Sequence, residues 1–237
     1  MDSTTKEEEA QDILRRALSG HRHYNPLEFW DYQEYYIELI VEKIDLKSLF
    51  SSQCTDFYIP CANAKGWSDI NLRAEMISRF KYWEDKGKTP VLLYCGDHDP
   101  AGINISNLIK KNLNDLSQAT GWTADNLIFD RFGLNHDFIE ENNLSWIDNL
   151  ETGAGKNLES AKHPDHKKAW VQDYITSYGI RKVEANSLIV RIEAGKRLFK
   201  TTLDKYLDYE RVDRFNEDTF QQQDQVETIV KKLMKAA

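Results

Sequence analysis

The feature that most constrains this chain is the segment Val91-Leu92-Leu93-Tyr94-Cys95-Gly96-Asp97-His98-Asp99-Pro100-Ala101-Gly102. A short apolar run that ends in two carboxylates one residue apart, followed by Pro and then Gly, reads as a buried strand that stops and turns into a helix. Open α/β sheets place their sites at such strand ends. Residues two apart on a strand share a face, so Asp97 and Asp99 converge if the extended geometry persists through His98. Two converging carboxylates repel unless a cation separates them, and hard oxygen donors suit Mg²⁺ or Mn²⁺. The same residues also spell an Asx turn with a helix cap, and a third carboxylate is what separates the two readings.

Glu42 is that candidate. It closes Tyr35-Tyr36-Ile37-Glu38-Leu39-Ile40-Val41-Glu42, the first convincing strand. Between it and the Asp pair the pattern predicts a short helix over Lys43 to Phe50, a strand at Phe57 to Pro60, and a helix from Asp69 to about Asp85 with Ile70, Ala74, Ile77 and Phe80 on one stripe. Gly87 ends that helix. After the Asp pair come a helix over Ile103 to Leu116 with Ile105, Leu108, Ile109 and Leu116 on one face, a strand at Leu127 to Phe129 leading to Arg131, and a short helix at Asn135 to Glu141. This alternation predicts a mostly parallel α/β sheet with right-handed crossovers, in which the strands ending at Glu42 and at the Asp pair are neighbours.

The flanks are different in character. Thr5 to Leu18 reads as an exposed acidic helix, an arm or linker over residues 1–30, and His21 and His23 as solvated residues. Residues 151–237 read as a polar loop and a mostly helical extension packed on the core, with helices at Trp170 to Ile175 and Leu188 to Leu203, a loop at Phe215 to Asp218, and a last helix through Val226, Ile229, Val230 and Leu233. Gly153-Ala154-Gly155-Lys156 is rejected as a nucleotide loop: position 150 is Leu, position 157 is Asn, and no strand precedes it.

Composition narrows the function classes. No apolar run approaches the ~20 residues of a membrane span, and the acidic first residues do not form a signal peptide, so a cytoplasmic protein is expected. Cys54, Cys61 and Cys95, without a C-x-x-C pair, read as reduced and mostly buried thiols. A net charge of -8 disfavours broad nucleic-acid binding and requires any DNA contact to be local.

Val41-Glu42-Lys43 and Asp97-His98-Asp99-Pro100-Ala101-Gly102 resemble the Val-Glu-Lys and Asp-x-Asp-Pro-x-Gly segments of the Toprim domain, in the version found in the A subunit of topoisomerase VI and the related meiotic double-strand-break transesterase. Lys65-Gly66-Trp67-Ser68-Asp69-Ile70-Asn71-Leu72-Arg73 is similar to that family's Lys-Gly-Tyr-Pro-Asp-x-x-Thr-Arg, keeping Lys, Gly, Asp and Arg. Val183-Glu184-Ala185-Asn186-Ser187-Leu188 is similar to its Glu-Leu-Asp-Ala-Leu stretch with the Asp changed. The resemblance covers roughly residues 30 to 205 and implies a Toprim (Rossmann-like) core over 31–150. It implies Glu42, Asp97 and Asp99 as catalytic, Mg- or Mn-binding acids, and Lys43, Lys65 and Arg73 as DNA- or phosphate-binding residues.

In that family the nucleophilic Tyr lies on a winged-helix domain before the Toprim domain, whereas about 35 residues precede the first strand here. Tyr24, Tyr32, Tyr35 and Tyr36 lie in a lead-in without a helix-turn-helix pattern, and none is assigned that role. The expected partners are DNA and a tyrosine-bearing winged-helix domain or ATPase subunit, with a homodimer and no membrane. The expected chemistry is DNA cleavage by a topoisomerase-like half or a nuclease. The alternatives are a non-catalytic subunit of a DNA-processing complex and a metal-dependent phosphotransferase or glycosyltransferase acting on small substrates.

Overall fold

The computed structural model describes all residues except 1–4, 65, 66, 68, 152–156 and 237. Lys65 and the Gly153 to Lys156 loop therefore lie outside the described residues. The chain divides into two compact units, Tyr35–Tyr206, and Met1–Glu34 with Leu207–Ala237. The larger unit runs past the boundary expected at 150.

In the larger unit a four-stranded sheet is built from β1 (Tyr35–Val41), β2 (Cys61–Asn63), β3 (Thr89–Cys95) and β4 (Ile128–Gly133), in the order β2-β1-β3-β4. Every pairing is parallel, as the alternation of strands and helices predicts. Both central strands are buried from their second residue onward. That is why they read as near-continuous apolar runs: a parallel strand covered on both faces has no solvent side to carry polar residues.

Helices supply the crossovers. α2 (Ile44–Asp56), α3 (Ile70–Asp85) and α4 (Pro100–Asn114) are joined by α5 (Ser117–Thr120) and α6 (His136–Glu141). The Asp69 carboxylate caps α3 by accepting from Asn71 N at 2.8 Å, and Asp99 caps α4, whose first residue is Pro100. Gly87, at φ 83°, lets the chain leave α3 through a left-handed turn. α7 (Ala169–Tyr178), a 3-10 turn at Ala185–Val190 and α8 (Ile192–Leu203) complete the unit.

Several expectations need correction. Phe57 to Pro60 is a turn, with Tyr58 at φ 56°, and the strand forms one residue later at Cys61. α2 continues to Asp56, because Leu46, Leu49, Phe50 and Cys54 together make its buried stripe. The buried face of α3 is Met76, Ile77, Phe80 and Trp83, while Ile70 is 54% exposed. On α4 the buried residues include Ile109 and Leu113, and Leu108 faces out.

The smaller unit joins the first and last segments. α1 (Lys6–Ser19), short 3-10 turns at Gly20–His23 and Phe29–Asp31, and the long α9 (Tyr209–Ala236) belong to it. Phe215 packs edge-on against Phe29 and Tyr32, and the Gln33 side-chain amide binds both backbone groups of Asp208. The expected loop at Phe215 to Asp218 is instead an uninterrupted part of α9, because Val212 and Phe215 continue one buried helical stripe. Among the described residues no helix is long and apolar enough to cross a membrane.

Candidate functional site

β1 connects outward to β2 on one side, while β3 lies on its other side, so the strand order reverses between β1 and β3. A crevice forms at the carboxyl ends of strands at such a switch point. The register Val41↔Cys95 brings both strand ends to one level, and Glu42 N donates to Cys95 O at 2.9 Å. Glu42 and the Asp pair are thereby neighbours, as the expected strand order requires.

The bonds then separate the three acids into different roles. Glu42 Oε2 accepts from Asp97 N at 2.7 Å and from the Tyr94 hydroxyl at 3.2 Å. Lys43 Nζ stands 2.8 Å from Asp97 Oδ2 and 3.5 Å from Glu42 Oε1, so one ammonium serves two carboxylates. Asp97 Oδ1 accepts from Ala185 N at 2.8 Å, which ties the 183–185 segment to the site. Asp99 Oδ1 accepts from Gly102 N at 2.6 Å as the α4 cap. The capping reading of the Asp-Pro-x-Gly turn is thus realised at Asp99, while Asp97 faces Glu42 and Lys43.

The backbone explains this arrangement. His98 pairs with Val183 in an antiparallel bridge, so the chain stays extended between the two Asp residues. Alternation turns the His98 ring to the other face, where it is buried against Trp146, Tyr174 and Tyr178. Burial holds the His98 imidazole down to about 4, so it is neutral, and its Nδ1 bonds Leu134 O. Arg131 fixes the outer shell with four bonds: to the carbonyls of Asp97, Gly102 and Leu134 and to Asn135 Oδ1.

Electrostatics follow from burial. Desolvation, then the Asp97 carboxylate, raises the Glu42 carboxyl above its ordinary range. Burial likewise raises Asp99, opposed by its bond from Gly102 N. Lys43 is raised, its burial outweighed by the bond to Asp97 and the neighbouring carboxylates. Among the described residues no group of three or more His, Cys, Asp and Glu side chains stands in metal-holding geometry. The donor chemistry nonetheless fits a hard divalent ion: carboxylate oxygens from two neighbouring strand ends, with an ammonium already within reach of two of them.

Of the remaining expected residues, Arg73 lies apart from these bonds. It lines a cavity of about 360 Å³ with Trp67, Ile109 and Asn112, and its buried Nε has no hydrogen-bond partner. Tyr35 and Tyr36 sit at the opposite end of β1 from Glu42, on the order of 20 Å of strand away. The Tyr36 hydroxyl is committed to Glu38 at 3.0 Å. Tyr94, Arg131 and the Ala185 amide belong to the site but were not singled out from the sequence. An Arg inside a strand otherwise rich in apolar residues is the one signal that could have found Arg131.

Compared with protein-family models, curated proteins and solved structures, the chain matches none. The resemblance to Toprim domains therefore rests on the sequence motifs alone.

Proposed function

We propose that this chain is an Mg²⁺- or Mn²⁺-dependent Toprim-like protein that cleaves DNA phosphodiesters, with Glu42, Asp97 and Asp99 as the metal-binding acids. The observation that carries the reading is the Glu42–Lys43–Asp97 cluster at the switch point, where acids from two adjacent parallel strands share one cation. A divalent ion at this cluster supplies charge for the phosphate oxygens and acidifies bound water. Glu42, with its carboxyl raised above the ordinary range by burial and by Asp97, is suited to hold or pass a proton. Lys43, within reach of both carboxylates, would be placed to meet a phosphate oxygen at this cluster, and Arg131 keeps the Asp97 backbone in place. Lys65 and Arg73 are proposed further phosphate contacts.

The test is metal-dependent nicking of supercoiled plasmid by the purified chain, with Glu42→Gln and Asp97→Asn as inactive controls that retain the wild-type circular dichroism spectrum. Nicking that survives both substitutions or persists in chelator overturns the assignment. A second reading is a non-catalytic subunit that positions DNA for a partner bearing its own tyrosine or ATPase. Lys43 favours it, because the ammonium already neutralises Asp97 without any metal. Salt-sensitive DNA retention without cleavage identifies that case.

A further inference from the structure

Two of the three cysteines lie outside the carboxylate cluster and border one cavity. Cys54 ends the buried stripe of α2, and Cys61 opens β2 on the far side of the turn at Phe57 to Pro60. Ile59 N closes that turn on Cys54 O at 2.8 Å. The two cysteines thus flank one tight turn between α2 and β2. Both line a cavity of about 520 Å³ with Lys47, Ser51, Tyr58 and Pro60. Cys54 is 5% exposed and Cys61 half-buried, which places Cys61 on the accessible side of the pair. Cys95 is fully enclosed in β3 and faces neither.

We propose that Cys54 and Cys61 are a reversible redox pair, in which a hydroperoxide oxidises Cys61 and Cys54 resolves it to a disulfide clipping the end of α2 to β2. The neighbouring Cys54 thiol, and then Lys47, lower the Cys61 thiol against its burial, while Cys61 and burial raise Cys54. The thiolate is the nucleophile toward peroxide. Cys61 sulfur attacks one peroxide oxygen, the O–O bond breaks, and the departing hydroxide leaves as water with a proton from solvent. The product is a sulfenic acid at Cys61. Cys54 sulfur then attacks Cys61 sulfur: the S–S bond forms, the S–O bond breaks, and the hydroxyl leaves as water with the Cys54 proton. Two thiols are oxidised by two electrons and one peroxide is reduced to two waters; a dithiol reductant reverses the step by exchange.

The clip reaches the carboxylate cluster through the backbone. Cys61 pairs with Leu39 and Asn63 with Val41, and Asn63 Nδ2 donates to Glu42 O at 3.5 Å. α2 begins directly after Lys43. The disulfide would close residues 54–61 into a covalent ring, and the chain on either side of it reaches the cluster, through α2 back to Lys43 and through Asn63 to Glu42 O. The inference stands without the proposed DNA chemistry, since its readout is chemical.

The experiment treats the full chain with hydrogen peroxide, blocks remaining thiols with N-ethylmaleimide after denaturation, and maps peptides by mass spectrometry before and after dithiothreitol. The expected result is one reducible peptide pair joining Cys54 to Cys61, with alkylated thiols falling from three to one. With Cys54→Ser, dimedone should trap a sulfenic acid at Cys61. With Cys61→Ser, oxidation of Cys54 should slow at least about tenfold relative to Cys61 in the wild type, because Cys54 is only 5% exposed and a buried thiol is poorly reactive. Full alkylation of both residues after peroxide, bridging to Cys95 or between chains, or equal peroxide reactivity of the two thiols overturns the proposal. The wild-type mapping decides this even if a variant folds poorly.

Discussion

Two glutamates on one strand show what burial does to the same side chain. Glu38, in the middle of β1, is 1% exposed and is gripped by Arg79 through two bonds of 2.8 Å and by the Tyr36 hydroxyl. Glu42, just past the strand end, faces Asp97 instead and shares Lys43 with it. Burial raises both carboxyls, but at Glu38 a matched partner opposes the rise and at Glu42 another acid adds to it. The interior acid is closed within the fold, whereas the strand-end acid keeps an unmet demand for positive charge. A perturbed acid of that kind is a functional-site candidate.

The largest expected effect breaks the closed pair. Arg79→Met leaves Glu38 buried without its cation and should cost about 3–5 kcal/mol of stability, read from urea denaturation. Adding Glu38→Gln, which keeps an acceptor for Tyr36, should recover most of the loss. A double variant as unstable as the single one shows that packing of the Arg79 stem, and not the stranded charge, sets the cost.

At the open cluster the order of effects reverses. Asp97→Asn should change stability little, because it also removes a like-charge contact, yet it should lower metal-dependent cleavage by at least about a hundredfold. Equal loss of stability at Asp97 and Arg79 erases the distinction between the two regions.

Titration sharpens the same contrast. Glu42 and Asp99 have folded-state pKa values raised above their ordinary values of about 4.3 and 3.9. Their contribution to stability is therefore fully present below about pH 4 and is lost as pH rises through the raised values. Glu38 contributes with the same sign, so the comparison of variants isolates each share. Glu42→Gln should flatten the fall in unfolding free energy across this window and leave the protein more stable than wild type at neutral pH. Saturating Mg²⁺ should oppose the fall in the wild type and have no such effect on the Asp97→Ala, Asp99→Ala double variant. A wild-type curve that Mg²⁺ leaves unchanged removes the metal from the cluster.

These contrasts also mark how far the residues alone carry. The parallel sheet and the adjacency of Glu42 to the Asp pair follow from apolar runs alternating with helical segments, because that pattern admits few topologies. The different bonds of Asp97 and Asp99 do not follow, since the two are the same residue type and only the turn into α4 sends Asp99 to Gly102 N and Asp97 to Ala185 N and Lys43. Arg79, Tyr94 and Arg131 sit on elements whose spacing reports only an apolar face, so a buried cation or hydroxyl among them is visible only once its partner is placed. The polar run Asn216 to Asp218 reads as a loop, whereas α9 passes through it with Asn216 and Glu217 exposed and Asp218 accepting from the Tyr32 hydroxyl at 2.8 Å.

The smallest effect belongs to a third ion pair, on the same helix as Arg79. Lys81 lies two positions further along α3, and its ammonium stands 3.9 Å from Asp85, with side chains 43% and 68% exposed. Water already solvates both groups there, so the Coulomb gain is screened and holding two flexible side chains in register consumes most of it. Its stem covers no buried face of α3, whose core residues are Met76, Ile77, Phe80 and Trp83. Lys81→Ala should therefore change stability by no more than about 0.5 kcal/mol, and the change should vanish in molar salt. Arg79→Met should keep its full cost in that salt, because the Glu38 carboxylate is out of reach of counterions. Parallel denaturation curves at low and high ionic strength for the two variants separate the cases, and a salt-insensitive loss at Lys81 comparable to that at Arg79 shows that burial is not what distinguishes the pairs.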